Sequence, residues 1–329
     1  MSAQAFLIVF IAALSPTTIF SPDSTPANSI FGLSLYVLSF TAVIFVVVFS
    51  LLTYTLLKFR AHKADDNREP PQVYGSTQVE LAWTVIPVLI VLVLFLASSR
   101  VIFSIQDAAK PRDALEITVV GHQYWWEFRY PRLNVVTANE MHVPVSDPAQ
   151  PTPTFLTLLS VDTDHSFWVP RLAGKTDLIP NHPNNMWIEP LRTGVYLGQC
   201  AQYCGVQHAK MLLRVYVQTR AEFDKWILQQ QQSAISSDAV SRGRAVFETF
   251  PCVDCHVVRG IAGNGRFGPD LTHLKSRQMI ASGAALNTPE NLRKWIQDPN
   301  SIKPGATMPA LQLSEQQLQD VVSYLETLH

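Results

Sequence analysis

Two long apolar runs near the start of the chain place the strongest constraint on its fold. The runs cover residues 30–57 and 81–98, and neither contains a charged residue. A membrane-spanning helix needs about 20 mostly apolar residues, and neither run has the polar face that a helix on a soluble core shows. We therefore predict a two-helix transmembrane hairpin over residues 30–105, in which the second helix accommodates Pro87.

Basic residues predict how this hairpin is oriented. The segment between the apolar runs contains Lys58, Arg60, Lys63 and Arg68. Residues 1–28 contain neither lysine nor arginine. Because basic loops stay on the cytoplasmic side, we expect a two-pass protein of the bacterial cell (inner) membrane. Both termini, and everything after about Arg100, would then lie outside the cytoplasm.

The N-terminal segment, residues 1–29, has two interpretations. Its apolar stretch at residues 5–14 has the length of the core of a signal peptide. No basic residue precedes that stretch, however, and Pro16 follows it closely. A cleaved signal peptide and a retained N-terminal segment therefore both remain open.

The charge balance excludes one class of function. The chain has 25 lysine and arginine residues against 26 aspartate and glutamate residues, a net charge of −1. A nucleic-acid-binding domain needs a basic face. We therefore expect the membrane, and no nucleic acid, among the partners of this chain.

Residues 106–228 change to short strand-like runs that are separated by proline, asparagine and aspartate. The clearest runs are 116–120, 154–159, 186–189 and 211–217. Several short strands with turn residues between them are typical of a β-sandwich or a β-barrel. We predict that this region forms one β-domain.

Soft metal ligands cluster near the end of this β-domain. Cys200 and Cys204 are followed by His208 and Met211, and His165 lies further upstream. Thiolate, imidazole and thioether groups together select copper over hard cations. The arrangement resembles a cupredoxin-like β-sandwich, with the difference that two thiolates would be able to bridge two copper ions. Disulfides are the alternative use of the four cysteines, and the neighbouring histidines and methionine disfavour it.

The second cysteine pair predicts covalent haem. In Cys252-Val-Asp-Cys255-His256, two thiols are spaced for the vinyl groups of haem and the adjacent imidazole for its iron. Residues 238–329 resemble an all-α class I cytochrome c domain, with Met308 as the second iron ligand and Met279 as a competing candidate. The polar, low-complexity residues 229–237 predict a linker between the two domains.

Together these motifs resemble subunit II of cytochrome c oxidase with a C-terminal fused cytochrome c domain, as in the caa-type haem–copper oxidases. The resemblance implies a dinuclear copper centre, CuA, in which Cys200 and Cys204 bridge the two ions. The other ligands that it implies are His165, His208, Met211 and the backbone carbonyl of Gln202. Most family members have a glutamate at position 202 that also binds magnesium, so Gln202 leaves a magnesium site open.

The resemblance also implies roles for residues that hold no metal. Glu80 matches the carboxylate at the mouth of a proton pathway, although a glutamate in the first turn of a helix also complements the helix dipole. Tyr124 and Trp126 lie in a segment that matches the family's aromatic segment, where electrons arrive from cytochrome c. Tyr124 stands where many members have tryptophan. Aromatic clusters on strands otherwise serve packing.

The function implied by the resemblance is electron transfer within a terminal oxidase. The chain would receive electrons through haem c, pass them to CuA, and deliver them to the haems of subunit I, where oxygen is reduced to water and protons are pumped. Its partners would be subunit I, the other oxidase subunits, and a quinol-oxidising complex or soluble cytochrome c as donor. A subunit of a nitric oxide or nitrous oxide reductase, and a membrane copper-delivery protein, are the alternatives.

Overall fold

The computed structural model describes residues 16–60, 72, 74–147, 149–234, 238–261, 263 and 265–329. Ser29–Ala109 form one compact unit, and the described parts of Met1–Asn28 and Lys110–His329 form the other. The apolar stretch at 5–14 that suggests a signal peptide lies outside the described residues, as do Lys63 and Arg68 of the basic segment.

Two long helices correspond to the apolar runs. Helix α1 covers Thr25–Lys58 and helix α2 covers Thr77–Gln106. At a rise of about 1.5 Å per residue, each exceeds the hydrocarbon thickness of a bilayer, about 30 Å. Both are long and apolar enough to cross a membrane, and the most apolar part of neither is buried within the protein. The two predicted apolar helices are therefore confirmed, and each extends beyond its apolar run.

The middle domain is a sandwich of two five-stranded sheets. One sheet has the order β3-β2-β1-β5-β8, with strands β1 (Leu115–His122), β2 (Trp125–Tyr130), β3 (Val135–Ala138), β5 (Thr154–Ser160) and β8 (Asn184–Ile188). The other has the order β4-β10-β9-β6-β7, with strands β4 (Glu140–Pro144), β6 (His165–Trp168), β7 (Thr176–Leu178), β9 (Gly194–Cys200) and β10 (Leu212–Gln218). The predicted cupredoxin-like β-sandwich is confirmed.

The core of the sandwich lies between the two sheets. Strand β5 shows the underlying pattern, because Thr154, Leu156 and Leu158 are buried while the residues between them are partly exposed. Trp126 and Phe167 are also fully buried, with ring centroids 5.8 Å apart in an edge-to-face contact. Each such side chain contributes roughly 1.5–3 kcal/mol through burial. The result is a stiff frame from which the loops at either end project.

Helix α3 (Arg220–Gln230) follows the sandwich directly. Thr219 and Glu222 form a capping box at its start, and Trp226 packs its ring 5.5 Å from that of Tyr130 in the sandwich. Residues 229 and 230 of the predicted linker belong to this helix, whereas 235–237 lie outside the described residues. The linker and the exact domain boundaries stay predictions.

The C-terminal domain is built from short helices around a separate core. Its elements are α4 (Ser241–Thr249), α5 (Cys252–Cys255), β11 (Met279–Ile280), β12 (Ala285–Leu286), α6 (Pro289–Gln297), α7 (Pro299–Ile302) and α8 (Glu315–Leu325). Helix α4 meets α8 at Gly243, where a Cβ atom would lie 2.0 Å from the carbonyl oxygen of Asp320. The domain has the predicted cytochrome c fold, apart from the small antiparallel pair β11–β12.

Candidate metal centres

The predicted copper ligands converge at one end of the sandwich. His165 is the first residue of β6 and Cys200 is the last residue of β9, and these antiparallel neighbours bring both residues to the same end. Cys200 Sγ lies 3.9 Å from Nδ1 of His165 and 3.1 Å from the carbonyl oxygen of Gln202. His165 and Cys200 are buried, so these contacts are shielded from water.

The loop after β9 turns back and supplies the remaining donors. Cys204 Sγ lies 3.9 Å from the sulfur of Cys200, 3.7 Å from Nδ1 of His208 and 3.9 Å from the sulfur of Met211. A single 3₁₀ turn, His208–Lys210, precedes Met211 and brings both ligands to the Cys204 side. The other four predicted ligand groups therefore surround the sulfur pair of Cys200 and Cys204.

The pKa values of the two thiols are shifted in opposite directions. The hydrogen bond with Cys204 lowers the pKa of Cys200 to about 3, against the effect of burial. The Cys200 thiolate in turn raises the pKa of Cys204, and burial acts in the same direction. Two negative charges at a sulfur–sulfur distance of 3.9 Å need positive charge beside them. Full ionisation of this pair therefore calls for bound cations.

A carboxylate fixes the ring of His165. Asp162 Oδ1 lies 2.8 Å from Nε2 of His165, so that Nδ1 is the nitrogen left beside Cys200. Burial acts to lower the pKa of His165, but the bond to Asp162 outweighs it and the pKa is raised. Carboxylates in this position orient metal-bound histidines. Sequence reasoning missed Asp162, because an aspartate in a turn carries no distinctive pattern.

The predicted electron-transfer aromatics lie beside this cluster. Trp126 Nε1 donates to the carbonyl oxygen of Met211 at 3.4 Å, and its ring centroid is 6.1 Å from that of His165. Tyr124 packs against Gly205, where a Cβ atom would lie 2.4 Å from the tyrosine hydroxyl. These positions suit core packing as well as electron transfer, so the electron-transfer role stays a prediction.

A cavity of about 560 Å³ lies between the β-sandwich (residues 106–228, the copper domain) and the C-terminal domain (residues 238–329, the haem domain). Its walls include the four predicted haem residues, Cys252, Cys255, His256 and Met308. Many of the other lining side chains are apolar, and Tyr124, Trp125 and Gln207 of the copper domain also line it. A concave, mostly apolar site with a few polar groups is typical of cofactor binding.

The ring of His256 is held ready for a metal. Its Nδ1 donates to the carbonyl oxygen of Pro269 at 2.7 Å, which leaves Nε2 as the potential ligand atom. Burial lowers the pKa of His256, so the ring is neutral at physiological pH and able to bind iron. Gly268 permits the close approach of this loop, because a Cβ atom there would lie 2.4 Å from the imidazole ring.

Two methionines line the cavity and compete as the second haem ligand. Met308 follows α7 and is half-buried, whereas Met279 begins β11. The backbone N–H of Met279 donates to Glu140 of the copper domain at 2.9 Å. Met308 stays the predicted ligand.

Two buried cations in the cavity wall were missed by sequence reasoning. Lys303 and Arg277 are only 3% and 8% exposed. Lys303 Nζ donates to the backbone carbonyl of Tyr124 at 2.7 Å, and burial lowers its pKa to about 7. Arg277 donates to the carbonyl of Asp270, while its Nε is buried without a partner among the described residues. Haem carries two anionic propionates, which suits a wall that contains an arginine and a lysine.

Glu80 belongs to the first turn of α2, in the compact unit Ser29–Ala109, and its side chain is exposed. The proton-path role therefore stays a prediction that the copper and haem sites do not bear on.

The donor atoms match the two groups predicted from the sequence. Two thiolates, two imidazoles, a thioether and a carbonyl oxygen form a set that suits copper. Two thiols, an imidazole and a thioether around an apolar cavity suit a c-type haem with histidine and methionine ligation. The residues present therefore fit both groups.

Three family models match the chain in succession. Residues 10–101 match the transmembrane domain of cytochrome c oxidase subunit II, and residues 115–218 match its periplasmic domain. Residues 240–329 match cytochrome c. The order of these matches follows the order of the two apolar helices, the sandwich and the C-terminal domain.

Curated relatives agree with these models. A cytochrome c oxidase subunit 2 of Alkalihalophilus pseudofirmus is 32% identical over 98% of this chain and 95% of its own length. One from a Bacillus species is 33% identical over 82% of this chain and 80% of its own. The crystal structure of the periplasmic domain of subunit II (CoxB) of Bradyrhizobium japonicum is 28% identical, covers 37% of this chain and 96% of that one, and has a TM-score of 0.34.

Proposed function

The chain belongs to the cytochrome c oxidase subunit II family, and we propose from this premise that it carries electrons from a covalent haem c to a dinuclear copper centre and on to subunit I. Its place in a haem–copper oxidase makes it part of an oxidoreductase, and its two matched soluble domains imply that it binds copper and haem c. The electron route, the dinuclear state of copper and the coupled proton pumping belong to the proposal.

One observation carries the proposal. The loop that carries Cys204 reaches the cavity lined by Cys252, Cys255 and His256, because Gln207 of the same loop lines that cavity. Tyr124 links them, because its hydroxyl packs on Gly205 in the copper loop and its backbone accepts a hydrogen bond from Lys303 at the cavity. A bound copper centre would accept and release one electron at a time and would share that electron between two metal ions.

The chain's own residues hold the copper site in a fixed geometry. The copper ions would be held by Cys200 and Cys204 together with His165, His208, Met211 and the carbonyl of Gln202. Asp162 keeps the Nδ1 of His165 toward the sulfur pair. The burial of both sulfurs excludes water, so little reorganisation of the surroundings accompanies electron transfer.

At the haem site, Cys252 and Cys255 would form the thioethers and His256 and Met308 the iron ligands. The bond from His256 to Pro269 keeps the ring orientation and makes its Nε2 a stronger ligand. Methionine ligation raises the potential of a haem, which suits a donor to copper. An external quinol-oxidising complex or a soluble cytochrome c would supply the electrons.

The proposal extends to the membrane. The chain would cross it twice, with the copper and haem domains outside the cytoplasm, as the basic residues predict. Glu80, at the start of α2, would act at the mouth of a proton pathway of the oxidase. Subunit I and the other oxidase subunits would be its permanent partners.

Spectroscopy of the purified oxidase complex tests the copper assignment. We expect a c-type haem spectrum together with the multi-line copper EPR signal of an electron shared by two ions. Cys204→Ser should remove the shared-electron signal and leave the haem spectrum intact, because the serine oxygen cannot bridge two copper ions in the same way. A mononuclear blue-copper signal in the unchanged protein would contradict the dinuclear centre.

The same preparation tests the haem ligands. Met308→Leu should lower the haem reduction potential, because a thioether ligand raises it. Met279→Leu is the matched control, since Met279 lines the same cavity. If only Met279→Leu lowered the potential, Met279 and not Met308 would be the second haem ligand.

A further inference from the structure

We propose that Glu140 is a positioning residue that latches the C-terminal haem domain onto the copper domain. The inference rests on the proposed function, because it concerns how the two electron-carrying sites are kept in register. It adds a residue that the sequence motifs do not mark.

Glu140 begins β4, which is an edge strand of its sheet. Its side chain is nevertheless only 2% exposed, because the haem domain covers it. Oε1 accepts hydrogen bonds from the backbone N–H of Gln278 at 3.0 Å and of Met279 at 2.9 Å. One carboxylate of the copper domain thus binds two consecutive backbone amides at the start of β11, in the wall of the haem cavity.

Charge strengthens this contact. The carboxylate lies within the electrostatic reach of Arg214 on its own domain and Arg277 on the haem domain. Burial raises the pKa of Glu140, which reflects the cost of burying a carboxylate, and the two amides together with Arg277 and Arg214 offset part of that cost. Separation of the domains would leave Arg277 and two amides without this partner. Glu140 therefore links the copper domain to the residues that line the haem cavity.

Neighbouring contacts follow the same boundary. Ser282 Oγ donates to the carbonyl of Leu212 at 3.0 Å, and Gln207 Nε2 donates to the carbonyl of Lys303 at 2.9 Å. Trp125 Nε1 donates to the carbonyl of Phe267 at 3.3 Å. These bonds all go to backbone carbonyls, and Gln207 makes a second one, to Pro304 at 3.0 Å. Glu140 differs because it supplies a negative charge and accepts from two backbone amides. Its removal should therefore loosen the boundary.

The latch has a functional consequence. The haem domain that Glu140 holds covers Trp125, which is 8% exposed. The aromatic face of the copper domain is therefore in contact with the fused haem domain, and a separate soluble donor would have to displace that domain to reach it. A latched domain passes electrons without a search step, because its effective concentration at the partner site is high.

Hydrogen exchange in the full-length protein tests the latch directly. Glu140→Gln removes the negative charge of the acceptor and replaces Oε2, which also accepts from Gln278 at 3.2 Å, with an NH₂ group. The remaining oxygen is a neutral and weaker acceptor for the amides of Gln278 and Met279. We expect exchange of these two amides to accelerate roughly tenfold, the effect of replacing a charged acceptor with a neutral one. Glu116→Gln is the matched control, because Glu116 pairs with Lys110 and Arg132 within the copper domain. Unchanged exchange at 278–279 in Glu140→Gln would overturn the proposal.

Electron transfer supplies the second measurement. In Glu140→Gln the haem-to-copper step should slow roughly tenfold or more and become dependent on solvent viscosity, because the domain must then dock before each transfer. The spectra and potentials of both centres should stay unchanged. Loss of the copper or haem signal in the unchanged protein would refute the proposed function, whereas a viscosity-independent rate in Glu140→Gln would refute the latch alone.

Discussion

At the scale of single residues, the copper site depends on a side chain that binds no metal. Asp162 is three residues from His165 and holds its Nε2 at 2.8 Å. We expect Asp162→Asn to weaken copper binding by about 10–100-fold, the usual effect of losing a carboxylate behind a ligating histidine. Competition titration of the copper-free protein with a copper chelator measures this change.

The matched control for that prediction is Asp164→Asn. Asp164 is exposed and adjacent to the same histidine. Its substitution removes the same charge but leaves the hydrogen bond between Asp162 and His165 in place. Equal loss of copper affinity in both variants would assign the effect to net charge and would contradict the orienting role of Asp162.

The metal ligands could be predicted from the sequence because metal binding imposes a characteristic local spacing on them. Cys200, Cys204, His208 and Met211 fall within one loop, and the structure places them around one pair of sulfur atoms. The roles of Lys303 and Glu140 could not be predicted from the sequence. Lys303 contacts Tyr124 across 179 positions of sequence, and no motif encodes a contact between two domains. Residues that act through such contacts appear only once the domains are assembled.

At the scale of elements, the haem domain depends on the crossing of its first and last long helices. Gly243 on α4 contacts Asp320 on α8, where a Cβ atom would lie 2.0 Å from a backbone carbonyl oxygen. We expect Gly243→Ala to force the helices apart and to cost about 1–3 kcal/mol of unfolding free energy, the usual range for overpacking. Thermal unfolding monitored by the haem absorbance measures this loss.

Ala245→Ser on the exposed side of the same helix is the control for the crossing. Its expected effect is within about 0.5 kcal/mol, because a surface substitution touches no packed neighbour. If Gly243→Ala is as stable as this control, α4 and α8 do not make the close contact.

The sequence predicted whether a segment forms a helix or a strand more accurately than it predicted the first and last residues of that segment. The capping boxes at Thr219 and Ser314 set the starts of α3 and α8 where local hydrogen bonding predicts them. The apolar runs gave the centres of α1 and α2 but not their full length, since the polar residues at their ends also take helical geometry. For the same reason residues 229–230, predicted as linker, complete α3.

At the scale of the whole molecule, the boundary between the copper and haem domains is made of buried hydrogen bonds. Gln207 is 3% exposed and Lys303 is equally buried, and both donate to backbone carbonyls across the boundary. Surface charge pairs between separate carriers are screened by salt. Buried contacts in a tethered pair are screened far less, so docking of the haem domain should not depend on long-range attraction.

This difference gives a prediction for the intact oxidase complex. The rate of haem-to-copper transfer within the chain should change by less than roughly twofold between about 0.01 M and 1 M salt, over which the Debye length falls from about 30 Å to about 3 Å. Reduction of the haem by a separate, charged soluble cytochrome should fall steeply over the same range, because that encounter is steered by surface charge. Flash reduction followed at the haem and copper absorbances separates the two steps. A steep salt dependence of the internal step would show that the domains dock through exposed charges, and the buried contacts around Gln207 and Lys303 would then not determine the rate.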